Sequence, residues 1–174
     1  MRKLIYQTMF DKLQKIGLVD HRGYPVFGEH VKIENRPYMD LSVDNLGSDV
    51  EKGYPVFKIS LAHNFTQNGD LMADPDMEIR IYPYAGFVEA LTYQLDSMGV
   101  YQVVYPEPGK VYPRIKKELN KFLNQWLNNL INQGFKYQPK PQTQKEPINE
   151  IEVLRKAEEY GKECAKNRAA YGMI

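Results

Sequence analysis

The densest concentration of chemically able side chains is His63-Asn64-Phe65-Thr66-Gln67-Asn68-Gly69-Asp70, which continues to Asp74-Pro75-Asp76 and Glu78. Asn64, Thr66, Asn68, Gly69 and Asp70 fall on positions one, three, five, six and seven of a calcium loop. The match fails at position one, which calls for Asp, and at position twelve, where a bidentate Glu is needed and Pro75 stands. The same residues are ordinary turn formers, so a turn-rich loop over 63–78 is expected, with a divalent-metal hydrolase site built from Asp70, Asp74, Asp76 and Glu78 as a lesser alternative. His21, His30 and His63 have no metal-ligand spacing. Cys164, the one cysteine, stands far in sequence from every histidine, which disfavours a Cys/His nucleophile. No G-x-S-x-G, Walker loop or G-x-G-x-x-G occurs. The expectation is a protein that is not an enzyme and needs no cofactor or metal.

Tyrosine is the second candidate. Thirteen occur, and five stand directly before proline: Tyr24, Tyr54, Tyr82, Tyr105 and Tyr112. Proline is kept out of strand interiors and biases its predecessor to extended backbone, so these pairs mark strand ends. If several rings gather at one rim of a sheet, they suit protein contact, being amphipathic and cheap to order. Tyr54, Tyr82, Tyr84, Tyr105 and Tyr112, with Asp70, Asp74 and Asp76, are the expected partner-binding residues.

Charge sharpens both readings. Lys+Arg 23 against Asp+Glu 22 gives a net +1, which excludes a uniformly polybasic nucleic-acid binder. The charge is nevertheless segregated: residues 1–33 carry +3, residues 34–99 carry −7, and residues 113–174 carry +5. An acidic middle would steer towards a basic partner. A nucleic-acid reading would rest instead on Arg114, Lys116, Lys117 and Lys121, continued by Arg155, Lys156, Lys162, Lys166 and Arg168.

Elements must hold these residues in place. Leu4, Ile5, Met9, Leu13 and Ile16 predict a helix over 3–16, ended by Gly17. Residues 20–37 read as turns. Alternation predicts strands at 39–43, 57–63, 77–81, 87–95 and from about Tyr101 to Tyr105, with a polar loop at 45–53; the short connections imply an antiparallel meander. Pro113 opens a second helix at 113–133, whose stripe of Ile115, Leu119, Phe122, Leu123, Trp126, Leu127, Leu130 and Ile131 is broad enough to cover the sheet, and Gly134 closes it. The fold class is α+β: about five strands packed by this helix and the amino-terminal one. The domain is expected to span 1–135, followed by a proline-rich linker at 136–147 and a charged tail helix at 148–174, which needs a partner or a second copy of itself to be stable. With 43% hydrophobic and 26% charged residues, no run long enough to span a membrane and no signal-peptide core at the amino end, a cytoplasmic setting is expected.

Part of the chain is similar to a known family. The run Pro75-Asp76-Met77-Glu78-Ile79-Arg80-Ile81-Tyr82 leads to Val88-Glu89-Ala90, then Tyr105-Pro106-Glu107-Pro108-Gly109-Lys110 and Asn120-Lys121-Phe122-Leu123-Asn124-Gln125-Trp126-Leu127. Over about residues 74–135 this resembles a bacterial domain-of-unknown-function family found in short cytosolic proteins and on plasmids, conjugative elements and phages. The resemblance brings no catalytic residues with it. It implies an accessory protein that binds a host or defence-system protein, with an anti-CRISPR or anti-restriction inhibitor as the sharper form.

Overall fold

A computed structural model describes residues 3–67 and 69–139. Helix α1 runs Ile5–Ile16 and helix α2 Pro113–Gln133. Both end on a glycine in the left-handed region, Gly17 at φ 89° and Gly134 at φ 88°, whose N–H groups bond back to carbonyls of the last turn. Pro113 occupies the first turn of α2, where its missing N–H costs nothing.

Seven strands form one antiparallel sheet: β1 (His30–Ile33), β2 (Leu41–Glu51), β3 (Tyr54–Gln67), β4 (Asp70–Tyr82), β5 (Phe87–Ala90), β6 (Thr92–Leu95) and β7 (Val100–Val103). Their order is β1-β2-β3-β4-β6-β7, with β5 also pairing β4. The fold is therefore α+β, with more strands than the five expected. One addition, β1, comes out of the segment read as turns. The other comes from the expected 87–95 strand, which breaks at Leu91. The N–H of Leu91 still bonds Glu78 O and its carbonyl accepts from Val104 N, each at 2.8 Å, so β5 and β6 are two halves of one neighbour of β4.

Two expected loops are strand. Residues 45–51 continue β2 through a register shift between Asn45 and Ser48. The 63–78 segment is not a turn-rich loop: β3 runs on to Gln67 and β4 starts at Asp70, with Gln67 opposite Asp70 and a second shift between Ala62 and Asn64.

Alternation decides which side of the sheet is dry. Leu41, Val43, Ile59, Leu61, Met77, Ile79, Ile81, Val88 and Ala90 are buried against Met9, Leu13 and Ile16 of α1 and Leu119, Leu123, Trp126, Leu127 and Leu130 of α2. Their neighbours in sequence, among them Ser42, Asp44, Ser60, Asp76, Glu78 and Arg80, take the opposite side. At about 1.5–3 kcal/mol for each large side chain, burial of this one face is the main stabilising term. Past α2 the chain turns back, and Tyr137 N donates to Ile16 O at 2.7 Å while its ring meets Phe27 edge-on. Tyr137, assigned from sequence to the linker, thus packs on the body. The rest of the linker from Lys140, the tail helix at 148–174, and with them Arg155, Lys156, Lys162, Lys166 and Arg168 lie outside the described residues. Among the described residues, no helix is long and apolar enough to cross a membrane.

Candidate functional site

Three of the expected tyrosines meet at the end of the sheet where β2 turns into β3 and β4 into β5. Tyr54 opens β3, Tyr82 closes β4, and Tyr84 follows in the turn. The rings of Tyr54 and Tyr84 stack with centroids 4.0 Å apart and planes inclined by 19°. They remain 44% and 74% exposed, unusual for two large rings already in contact with each other. Together with Val56, Tyr82 and Ala85 they line a hollow of about 330 Å³ rimmed by Glu51 and Lys52. Two of the Tyr-Pro pairs stand at strand ends, Tyr54 as the first residue of β3 and Tyr82 as the last of β4, whereas Tyr84 precedes no proline.

Behind the hollow lies a group of polar side chains that sequence reading did not assemble. Glu89, in the middle of the apolar β5, is 5% exposed. Its Oε1 accepts from the Tyr82 hydroxyl at 2.7 Å; its Oε2 accepts from the Tyr105 hydroxyl at 2.9 Å and from Lys116 Nζ at 2.6 Å. Lys116 also donates to the Tyr105 hydroxyl. Arg80, opposite Glu89 in the β4–β5 register, donates to Tyr82 at 3.2 Å, pairs with Glu51 at 2.9 Å, and lies over the Tyr105 ring. Asn120, 2% exposed, holds α2 to the same strand: its Oδ1 accepts from Ala90 N and its Nδ2 donates to Lys116 O.

Burial alone would raise the Glu89 carboxyl, but hydrogen bonds from Lys116 and Tyr82, the Lys116 charge and the Tyr105 bond outweigh it and bring it below its ordinary value. For Lys116 burial works against the charge, and the bonds to Glu89 and Tyr105 more than reverse it, so the ammonium is held well above its usual range. Burial raises both phenols; Arg80 pulls Tyr82 down and Lys116 pulls Tyr105 down, yet with the nearby Glu89 carboxylate the balance leaves each raised. Glu89 and Lys116 are thus held in their charged forms and the two phenols in their neutral, protonated form. Such a set holds its protons fixed, the opposite of what proton-transfer catalysis requires.

Asp44, Asp76 and Glu78 lie on the side of the sheet away from the helices. Asp76 lies opposite Ala62 and Gln94. Burial raises its carboxyl, and the charges of Glu78, Asp44 and Asp96 raise it further. Asp44 pairs with His30 at 2.7 Å. Asp74 accepts from Ser97 Oγ at 2.9 Å. Asp70 is the first residue of β4. His63 is on the opposite, helix-facing side, against Trp126. Among the described residues, no group of three or more His, Cys, Asp or Glu is placed to hold a metal ion. A raised Asp76 pKa means the folded protein prefers its neutral form. Asp76→Asn should therefore raise the melting temperature at pH 7 by roughly 1–4 °C. The gain should vanish as pH falls through the titration of Asp76, where the wild type is itself neutral; a calorimetric scan at pH 7 and pH 3.5 checks both halves.

The basic residues of the nucleic-acid reading are divided. Arg114 pairs with Glu118 on α2 at 2.9 Å and Lys116 is committed to Glu89, which leaves Lys117 and Lys121 exposed. These two line a second hollow of about 570 Å³ between the starts of α1 and α2. Tyr105 reaches both the Glu89 group and this hollow, while Tyr112, half exposed before α2, joins neither.

Glu89, Arg80 and Glu51 escaped sequence reading. The available signal was the single charge inside Phe87-Val88-Glu89-Ala90-Leu91, a run otherwise apolar and therefore in need of a buried partner. Comparison with known proteins adds one finding: a family profile described as Domain of unknown function (DUF6908) matches residues 6–136. Neither a curated protein nor a solved structure matches the chain.

Proposed function

The chain belongs to this family of unknown function, and we propose that it is a non-enzymatic binding module that acts by occupying the surface of a partner protein. The observation that carries this reading is the exposed Tyr54–Tyr84 stack over its hollow. Two rings that order one another before a partner arrives lose little entropy on contact, and the apolar floor of Val56 and Ala85 offers a pocket for an anchor side chain. Val50, 67% exposed and opposite Pro55 in the same hairpin, widens the apolar area. The acidic half-face of Asp44, Asp76 and Glu78 suits a partner with basic residues beside its apolar anchor.

We extend the reading, on the sequence resemblance alone, to a cytoplasmic protein of bacterial mobile elements that inhibits a defence-system protein. The nucleic-acid reading has less support, because two of its four cations in the described body are already paired.

Affinity capture from a bacterial host lysate tests the proposal, with the intact chain compared to Tyr54→Ala/Tyr84→Ala. Loss of two central anchors at about 2 kcal/mol or more each should reduce capture of the partner by well over tenfold, with the melting temperature of the variant within a few degrees of the wild type. Equal capture by both chains rejects the tyrosine surface. Capture that is the same at 50 mM and 500 mM salt rejects the electrostatic part. A third chain truncated after Pro139 reports whether the tail is needed.

A further inference from the structure

The second hollow differs from the first in its chemistry. Its walls are apolar, from Ile5 and Tyr6 at the start of α1, Tyr105 and Val111; its polar lining comes from Asn120 and three lysines, with no carboxylate among the lining residues. Of the lysines, Lys116 is neutralised by Glu89 at 2.6 Å. Lys117 and Lys121 are not: among the described residues no carboxylate pairs with either. They stand four apart on α2, so they face the same side and repel one another. The first turn of α2 also carries no acidic residue, so the positive end of the helix dipole adds to the same unbalanced charge. Asn120 offers no correction, since both ends of its amide are already used.

We propose that this hollow binds a small organic anion, a carboxylate carrying an alkyl or aryl body. The anionic head would lie between Lys117 and Lys121, and the body against Ile5, Tyr6 and Val111. About 570 Å³ falls within the range of small-molecule sites. An inorganic anion would leave the apolar walls wet, and a neutral apolar ligand would leave two like charges uncompensated. The paired head and body are what the lining selects. The site stands apart from the Tyr54–Tyr84 hollow, so its failure and the failure of the protein-binding reading are separate results.

The test uses the full chain, titrated at low ionic strength with decanoate and with 2-naphthoate, followed by calorimetry and by backbone amide shifts. Saturable one-to-one binding of either carboxylate is expected, with shifts centred on Tyr6, Val111 and Lys121. Lys117→Gln/Lys121→Gln should weaken it by roughly tenfold or more. Val111→Trp, which fills the hollow and leaves the charges alone, should weaken it to a similar degree. All three positions are exposed, and circular dichroism confirms that the variants fold. Decanol binding as tightly as decanoate, or acetate binding as tightly as either carboxylate, would overturn the proposal. So would shifts centred elsewhere, unchanged affinity in the lysine double variant, or no saturation by about 5 mM.

Discussion

Lys116→Met should destabilise the fold by about 2–3 kcal/mol at pH 7, a large effect for a substitution that leaves the apolar core alone. The lysine lies 2.6 Å from the buried Glu89 carboxylate and is its nearer cation, with Arg80 Nη1 3.8 Å from the other carboxylate oxygen. Breaking a fully buried pair by removing one partner costs about 3–5 kcal/mol, because the remaining charge is stranded. A lower figure applies here because the Lys116 side chain is 28% exposed and Arg80 still stands 3.8 Å from Glu89 in the variant. In the wild type the Glu89 carboxyl titrates below its ordinary value, so its stabilising effect is present above the unfolded pKa and is lost as pH falls through the folded one. In the variant the loss of the Lys116 bond and charge moves the same carboxyl upward, and protonation then relieves part of the cost of its burial. The stability gap between the two chains should accordingly close as pH drops from 7 to below about 4. Urea denaturation across that range measures it. Glu89→Gln in the Lys116→Met background should recover part of the loss at pH 7. A gap that is constant with pH would show that Lys116 acts through its methylene packing and not through its charge.

Gly17→Ala should cost about 2–4 kcal/mol, several times more than the same change at Gly134. Both glycines end a helix at nearly the same positive φ, 89° and 88°, and a side chain there pays about 1 kcal/mol for the left-handed conformation. The surroundings differ. A Cβ at Gly134 meets nothing within 4 Å, whereas one at Gly17 runs into the carbonyl oxygen of Tyr137. That oxygen is backbone, and its residue is tied to Ile16 by the 2.7 Å bond from its N–H. Relief therefore requires moving the segment off α1, with loss of the Phe27 ring contact. Paired thermal melts of the two alanine variants separate conformational strain, common to both, from the clash, which belongs to Gly17 alone. Equal melting temperatures would mean that the 134–139 segment yields without cost.

Both helices were legible because their signals are local. Apolar residues recur on one face, and a glycine one step beyond the last turn ends each of them; α2 starts and stops where Pro113 and Gly134 place it. The strands were legible only where one side is dry. Leu41 and Val43, Ile59 and Leu61, Met77 to Ile81 alternate because the helices cover them. Beyond the covered area β2 continues as Asn45-Leu46-Gly47-Ser48-Asp49-Val50, exposed on both sides, and is held by its hydrogen-bond ladder alone. With no face to bury, no period appears, and polar strand looks like loop. The tyrosine end could be read because proline punctuates it. The Glu89 group could not, since its partners Tyr105 and Lys116 are supplied 16 and 27 residues further on, and a charge in an apolar strand states a need without naming who meets it.

The clasp between Tyr137 and Ile16 also sets where the body can be severed. A chain ending at Pro139 keeps the clasp. One ending at Gly134 lacks it, which uncovers Phe27 and the end of the first helix. A chain ending at Pro139 should therefore melt well above one ending at Gly134, and the difference between the two melting temperatures measures the hold of the clasp.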